Sequence, residues 1–237
     1  MIIFLIAALL FAALEVVALK KNLPRLEYIA KPAVMISLFI WLWTSVGLQG
    51  ALLWFGLGIL FSLVGDVLLM ISLDRFFLAG LAAFFVAHVT YIIGFNTPLP
   101  DLSVWSLLLA VIIGINGVRV MRRILAPLAA GQAVSPRRVP GPNGGQSHLR
   151  IPIIVYGVVI SVMLLSALMK LSDLSWNASA ALLVGLGAFL FYLSDVILAW
   201  MKFVAPVQHG RIYNMLSYQL GQIAIIAGVV LQFKALR

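Results

Sequence analysis

Eight apolar runs, each close to the length of a membrane-spanning helix, dominate this sequence and restrict what it can fold into. A run of about 20 apolar residues crosses the hydrocarbon core of a bilayer as an α-helix. Within lipid the backbone must satisfy its own hydrogen bonds, which leaves helices and closed barrels as the possible folds. We therefore predict an all-α bundle of eight transmembrane helices. The runs lie at 1–19, 32–49, 51–72, 76–96, 102–121, 151–170, 178–201 and 212–233.

Composition supports a membrane protein and argues against a soluble protein, a nucleic-acid-binding protein and a metal or disulfide site. The chain is 64% hydrophobic and only 10% charged, whereas soluble proteins carry about 25% charged residues. Its net charge of +9 fits basic loops of a membrane protein better than a nucleic-acid partner, which we do not expect. With no cysteine and three histidines, none in an H-x-x-x-H pair, we expect neither a disulfide nor a metal site, and no cofactor.

The basic residues predict an orientation. The first apolar run lacks the basic start of a signal peptide, so we interpret it as the first transmembrane helix. If both termini lie outside, all but three of the Lys and Arg residues fall on the cytoplasmic side, as the positive-inside rule requires. The cytoplasmic set is Lys20, Lys21, Arg25, Lys31, Arg75, Arg119, Arg122, Arg123, Arg137, Arg138, Arg150, Lys202 and Arg211. We expect a multi-pass protein of a bacterial inner membrane.

The chain is predicted to form a single transmembrane domain in two halves. Residues 1–121 form the first half and 151–237 the second, joined by a basic cytoplasmic loop at 122–150. The loop is rich in Pro, Gly and Arg, which is typical of a mobile linker. Alternatively, the basic residues of this loop contact anionic lipid headgroups.

Two similar segments, 129 positions apart, each place an aspartate inside an apolar run. Residues 56–69 and 185–198 match without a gap at six of fourteen positions, including Asp66 and Asp195. They fall in the third and seventh runs, and an offset of four helices keeps the direction of crossing. The pattern predicts two parallel four-helix repeats, although chance similarity between apolar segments is the alternative.

Polar residues within the apolar runs are the candidates for a functional site, because charge in a membrane interior is costly. At about 1.5 Å of rise per residue, Asp66, Asp195, Tyr156 and Tyr218 fall at one level in the cytoplasmic half of the bilayer. Further candidates near that level are Gln222, His88, Tyr91, and Lys31, which we place just before a helix beginning at Pro32. The alternative for each of these residues is a structural role. The aspartates would then pair with Lys31 or His88, and the other polar side chains would form interhelical hydrogen bonds. Glu15, near the inner end of the first run, is expected to reach the membrane interface.

Several motifs resemble the YhhN/TMEM86 family. The resemblance lies in Lys31-Pro32, in Gly65-Asp66, and in the closing pair Tyr218 and Gln222. Two longer motifs are Phe77, Gly80, Phe84, His88 and Tyr91 in the fourth run, and Gly187, Ala188, Phe191, Ser194, Asp195, Leu198 and Ala199 in the seventh. That resemblance implies an eight-helix lysoplasmalogenase. Such an enzyme hydrolyses the vinyl ether bond of a lysophospholipid substrate drawn from the membrane lipids, and releases a fatty aldehyde and glycerophosphocholine or glycerophosphoethanolamine.

Vinyl ether hydrolysis begins with protonation of carbon, so it requires an acid and then an activated water. Glycosidases divide similar work between two carboxyl groups. We therefore hypothesise that Asp66 and Asp195 form a coupled acid/base pair, with the order of roles unassigned. The residues expected to orient the substrate or water are Tyr156, Tyr218, Gln222, His88 and Tyr91, and Lys31 is expected to meet the lipid phosphate.

Two other functions fit the same residues. Paired membrane carboxylates and internal repeats also occur in proton-coupled transporters of small molecules or lipids. A non-catalytic lipid-binding or scaffold protein is the third possibility.

Overall fold

The computed structural model describes residues 2–99, 103–129 and 149–235, and these form eight α-helices without any strand. All eight are long and apolar enough to cross a membrane. The predicted all-α membrane bundle is therefore confirmed. The helices are α1 (Ile2–Lys20), α2 (Pro24–Val46), α3 (Ala51–Ile71), α4 (Phe77–Phe95), α5 (Val104–Ala129), α6 (Arg150–Met169), α7 (Ala178–Phe203) and α8 (Gly210–Ala235).

Helix α2 begins eight residues earlier than the sequence predicts. Pro24 starts it, a position where the missing N–H of proline costs no hydrogen bond. Pro32 lies inside the helix, so the prediction that Lys31 precedes the helix is wrong. The charged residues here lowered the apolar signal, yet they are helical because their charges are paired. Glu27, for example, accepts a hydrogen bond from Arg211 at 2.5 Å.

Helix α5 continues past its predicted end at residue 121 to Ala129. Its last turns carry Arg122 and Arg123, whose charges made this stretch look like the start of a loop. The predicted loop therefore begins later than residue 122. The Pro- and Gly-rich part of that loop, between residues 130 and 148, lies outside the described residues.

The order in which helices pack repeats in part after four helices. The contacts of α1 with α2, α2 with α3 and α3 with α4 recur as α5 with α6, α6 with α7 and α7 with α8. Likewise α8 packs on α2, and its counterpart α4 packs on α6. Other contacts differ: α1 packs on α8 and α5 packs on α7, without comparable contact in the described residues between α4 and α5 or between α1 and α3. The duplication and the direction of the helices stay predictions.

Helices α7 and α8 form the most extensive helix pair, and glycines allow their backbones to touch. A Cβ at Gly221 would lie 2.9 Å from the Gly187 carbonyl oxygen, and a Cβ at Gly187 would lie 2.6 Å from the Ile225 backbone nitrogen. Small residues at such contacts are typical of helix pairs in membranes, where close packing replaces the hydrophobic effect. This contact fixes the height of α7 against α8, and with it the height of the polar groups that both carry.

Candidate functional site

Asp66 lies in a closed cluster between α2, α3 and α8. The ammonium of Lys31 is 3.1 Å from Oδ1 of Asp66, and the hydroxyl of Tyr218 donates to Oδ2 at 2.7 Å. Both side chains of the ion pair are buried, Asp66 with 1% exposure. Each carboxylate oxygen thus has a strong partner, as a buried charge requires. Lys31 is directed at this carboxylate, inside the bundle.

Asp195 lies in a second cluster, between α4, α6 and α7. The hydroxyl of Tyr156 donates to Oδ2 of Asp195 at 2.5 Å. The Nε2 atom of His88 lies 3.3 Å from the same oxygen and 3.0 Å from the Tyr156 hydroxyl. Both contacts fall on Oδ2, which leaves Oδ1 without a protein partner among the described residues.

The His88 ring is oriented by its surroundings. Its Nδ1 atom is buried and has no hydrogen-bond partner in the described part of the chain. A neutral ring carries one proton, and a buried N–H without an acceptor is costly. The proton therefore belongs on Nε2, where it can be donated to Asp195 or to Tyr156.

Aromatic rings stand between the two clusters. The ring of Phe191 lies 5.2 Å from that of Tyr218 and 4.6 Å from that of His88, so it contacts one member of each cluster. Phe84 packs edge-on against Phe191 and Tyr218. Among the described residues no side chain bonds to both Asp66 and Asp195. The hypothesis of a coupled acid/base pair stays a prediction.

The two clusters use corresponding helices of the proposed repeat. Asp66 on α3 is held from α2 and α8, whereas Asp195 on α7 is held from α6 and α4. A shift of four helices maps the first set onto the second. The partners nevertheless differ, because only the first cluster contains a lysine.

A third network lies beside the Asp66 cluster. The Tyr91 hydroxyl donates to the side-chain oxygen of Gln222 at 2.7 Å, and the amide of Gln222 donates to Ser62 at 2.9 Å. Ser62 was missed by the sequence analysis. It lies four residues before Asp66, hence on the same helical face, and that spacing was the available signal.

Glu15 is a correction to the sequence analysis, which placed it at the interface. Its side chain is fully buried and accepts a hydrogen bond from the Gln219 amide at 2.5 Å. The reason is that α1 packs on α8, which covers this face of α1. Within the described ranges no group of three or more His, Asp and Glu residues could hold a metal ion.

One cavity of about 400 Å³ reaches the Asp195 cluster. Side chains of α4, α5, α6 and α7, together with Leu69 of α3, line it, and most of them are apolar. Asp195 and Tyr156 are among the lining residues, whereas Asp66 and Lys31 are not. The volume lies in the range of small-molecule sites. Asp66 is buried and Asp195 is partly exposed, so Asp195 is the aspartate that a ligand in this cavity can meet.

The sequence matches the YhhN family model over residues 26–229. This chain belongs to the YhhN family. Lysoplasmalogenase TMEM86B of Homo sapiens is 29% identical over 200 residues, which cover 82% of this chain and 70% of that protein. The protein of the same name from Sus scrofa is 30% identical over 185 residues, covering 78% and 64%. No solved structure matches this sequence.

All eight residues predicted for the site lie inside the YhhN match, and the structure gathers them into the three networks described above. Lys31, Asp66 and Tyr218 form the first. His88, Tyr156 and Asp195 form the second, and Tyr91 and Gln222 belong to the third. Their roles in binding or catalysis stay predictions.

Proposed function

We propose that this YhhN-family chain is an integral membrane hydrolase that cleaves the vinyl ether bond of lysoplasmalogens. The products are a fatty aldehyde and glycerophosphocholine or glycerophosphoethanolamine. The relatives named lysoplasmalogenase support the reaction. The observation that carries the proposal is the carboxyl group of Asp195 in a mostly apolar cavity, with one oxygen that has no partner among the residues the structure describes.

Asp195 is the proposed acid and base. In the acid form of Asp195 the proton lies on Oδ1, because Oδ2 already accepts the hydrogen bonds of Tyr156 and His88. That proton is transferred to the carbon of the double bond remote from oxygen, which leaves a cation shared by the adjacent carbon and the ether oxygen. Oδ1 then takes a proton from water as the water adds to that carbon. The hemiacetal so formed breaks its bond to the glycerol oxygen and yields aldehyde and alcohol.

Tyr156 and His88 hold the other oxygen of Asp195. Their two hydrogen bonds to Oδ2 keep the proton on Oδ1 and orient it towards the cavity. Such fixed donors are most effective in a site of low dielectric, where they need no rearrangement during the reaction.

Asp66 is proposed to act at a distance. With Lys31 it forms an ion pair, and Tyr218, bonded to Asp66, packs on Phe191, which in turn packs on His88. A loss of Asp66 therefore displaces the Asp195 cluster without removing the acid. The coupled-pair hypothesis instead gives Asp66 a direct chemical role. Under that hypothesis the loss of Asp66 should lower turnover as much as the loss of Asp195, whereas under the single-acid mechanism it should lower turnover less.

We place the site in the cytoplasmic half of a bacterial inner membrane. The basis is the clustering of Lys and Arg at the ends of the helices nearest to Asp66 and Asp195, with the positive-inside rule. A single-chain lipid in the inner leaflet would meet the cavity with its glycerol near that end.

The test is aldehyde release by purified protein in proteoliposomes, from a lysoplasmalogen and from its acyl-linked counterpart. We expect turnover of the first lipid only. Asp195→Asn is expected to lower kcat by about 100- to 10,000-fold, the usual contribution of general acid–base catalysis, and Tyr156→Phe by about 10-fold. Asp66→Asn is expected to cost less than Asp195→Asn. Asp173→Asn, in the segment between α6 and α7 and outside the lining of the cavity, is the matched control and should leave turnover unchanged.

Failure to release aldehyde from any vinyl ether lipid would refute the proposal. Equal losses in Asp66→Asn and Asp195→Asn, with both variants folded, would favour the coupled pair over a single acid. Uptake of a solute under a pH gradient, without hydrolysis, would favour a transporter.

A further inference from the structure

The cavity is elongated, and the Asp195 cluster lies towards one end of it. Its lining on α6 extends from Ile153 to Leu165, which is about 18 Å at 1.5 Å per residue. Tyr156 is three residues from the first of these and nine from the second. The hydroxyl that holds Asp195 therefore divides the cavity into a short arm of about 5 Å and a long arm of about 14 Å.

The long arm, between Tyr156 and Leu165, is apolar and has room for a chain. Across from α6 it is lined by Ala110, Ile113 and Gly114 of α5. A Cβ added at Gly114 would meet no other heavy atom within 4 Å. Gly114 is an exposed residue that lines the cavity, so a larger side chain at this position has room without displacing a neighbour.

The short arm leads to a cation. Phe77 and Phe203 line the cavity at this end and pack edge-on against each other. The ammonium of Lys202 lies over the Phe77 ring at 4.5 Å and 3.2 Å from Asp74. Lys202 does not line the cavity and is paired with Asp74, but its ammonium lies just beyond this end, where a phosphate group outside the short arm would meet it. No charged side chain lines the long arm.

We propose that the long arm binds the hydrocarbon chain of a single-chain lysophospholipid, and that Gly114 determines the length of chain it accepts. The inference rests on the proposed function and extends it to the orientation of the substrate. The phosphate lies towards Lys202, the vinyl ether at Asp195 and the chain along α5. A cavity of about 400 Å³ holds roughly 13 groups of about 30 Å³, the volume of a water molecule and close to that of a methylene. That is enough for one hydrocarbon chain.

Gly114→Phe tests the proposal, with Ile115→Phe as the matched control. Ile115 is the next residue on α5, is 49% exposed and does not line the cavity. We compare kcat/KM for alkenyl lysolipids of about 8 and about 16 carbons, since hydrophobic pockets discriminate such differences by about 10-fold or more. In Gly114→Phe we expect turnover of the long-chain lipid to fall at least about 10-fold relative to the short-chain lipid. In Ile115→Phe we expect that ratio to stay within about 2-fold of the parent protein.

Binding of radiolabelled 1-acyl lysophosphatidylcholine provides a second measurement that does not depend on cleavage. We expect the parent protein to prefer the long acyl chain, Gly114→Phe to lose that preference, and Ile115→Phe to keep it. If no vinyl ether lipid is cleaved but this binding pattern holds, the proposed function is refuted, and the proposal that the long arm binds the hydrocarbon chain is supported. An unchanged chain-length preference in Gly114→Phe overturns the inference whatever the turnover. If Gly114→Phe does not elute as a folded protein, Gly114→Leu is used in its place.

Discussion

Removal of Asp66 and Lys31, singly and together, separates a structural role of this ion pair from a chemical one. The two side chains are 3.1 Å apart and almost wholly buried. Asp66→Asn leaves an ammonium without its counter-charge, and Lys31→Met leaves a carboxylate held only by Tyr218. The double variant leaves no buried charge at this position.

The magnitude follows from that burial. Breaking a buried ion pair by removing one partner costs about 3–5 kcal/mol of stability, because the other charge is left uncompensated. Replacing both partners by neutral groups of similar volume is often nearly neutral. We therefore expect each single variant to lose about 3–5 kcal/mol and the double variant about 1–2 kcal/mol. The coupling energy is then several kcal/mol, well above the scatter of independent sites.

The assay is unfolding in mixed micelles of increasing denaturing detergent, followed by aldehyde release from the folded protein. Asp74→Asn breaks an exposed ion pair with Lys202 and should cost less than about 1 kcal/mol. Additive losses in the double variant would refute the ion-pair reasoning. A double variant that is folded and as inactive as Asp195→Asn would show that Asp66 takes part in the chemistry, and the single-acid mechanism would be wrong.

Two further predictions concern the packing of α7 on α8 and the segment between α6 and α7. Gly221→Val should separate α7 from α8, because its side chain would meet the Gly187 carbonyl and the backbone of Phe191. We expect a loss of about 3 kcal/mol or more in thermal unfolding, whereas Gly114→Ala, in open space, should be close to neutral. In the segment between α6 and α7, burial acts to raise the pKa of Asp173, but hydrogen bonds from Ser175 and Lys170 outweigh it and hold that pKa below its usual value. A lowered pKa stabilises the fold above the ordinary aspartate pKa and loses its effect as the pH falls through the lowered value. Asp173→Asn should therefore cost under about 1 kcal/mol at pH 7 and nothing once the pH lies below the lowered pKa; a cost that persists in acid would contradict this assignment.

The fold was predictable because the thickness of the bilayer sets the length of each membrane-spanning helix. Seven of the eight apolar runs begin within two residues of the observed helices. The exception, α2, shows the limit of hydropathy. Its first two turns carry Arg25, Glu27 and Lys31, which count as polar in sequence. Glu27 and Lys31 lose that cost because each is paired with a charge on another helix. Pairing is a property of the neighbouring helices, and a single helix does not encode it.

Most members of the buried polar networks could be predicted from the sequence, but their grouping could not. Depth along a helix selected Tyr156 and Tyr218 correctly as neighbours of the aspartates, since both hydroxyls donate to one of them. It could not assign Tyr156 to Asp195 and Tyr218 to Asp66, because that depends on which helices pack together. For the same reason Glu15 looked interfacial until α8 covered it.

Asp66 is enclosed with a lysine, whereas Asp195 opens to a cavity. The rings between the two clusters pack on Tyr218, which is bonded to Asp66. The enclosed cluster is therefore a fixed support, and its contacts do not depend on what the cavity contains. Under the proposed mechanism, substitutions in the cavity lining on α5 and α6 would change the accepted lipid and leave the contacts of α2, α3 and α8 around Asp66 intact.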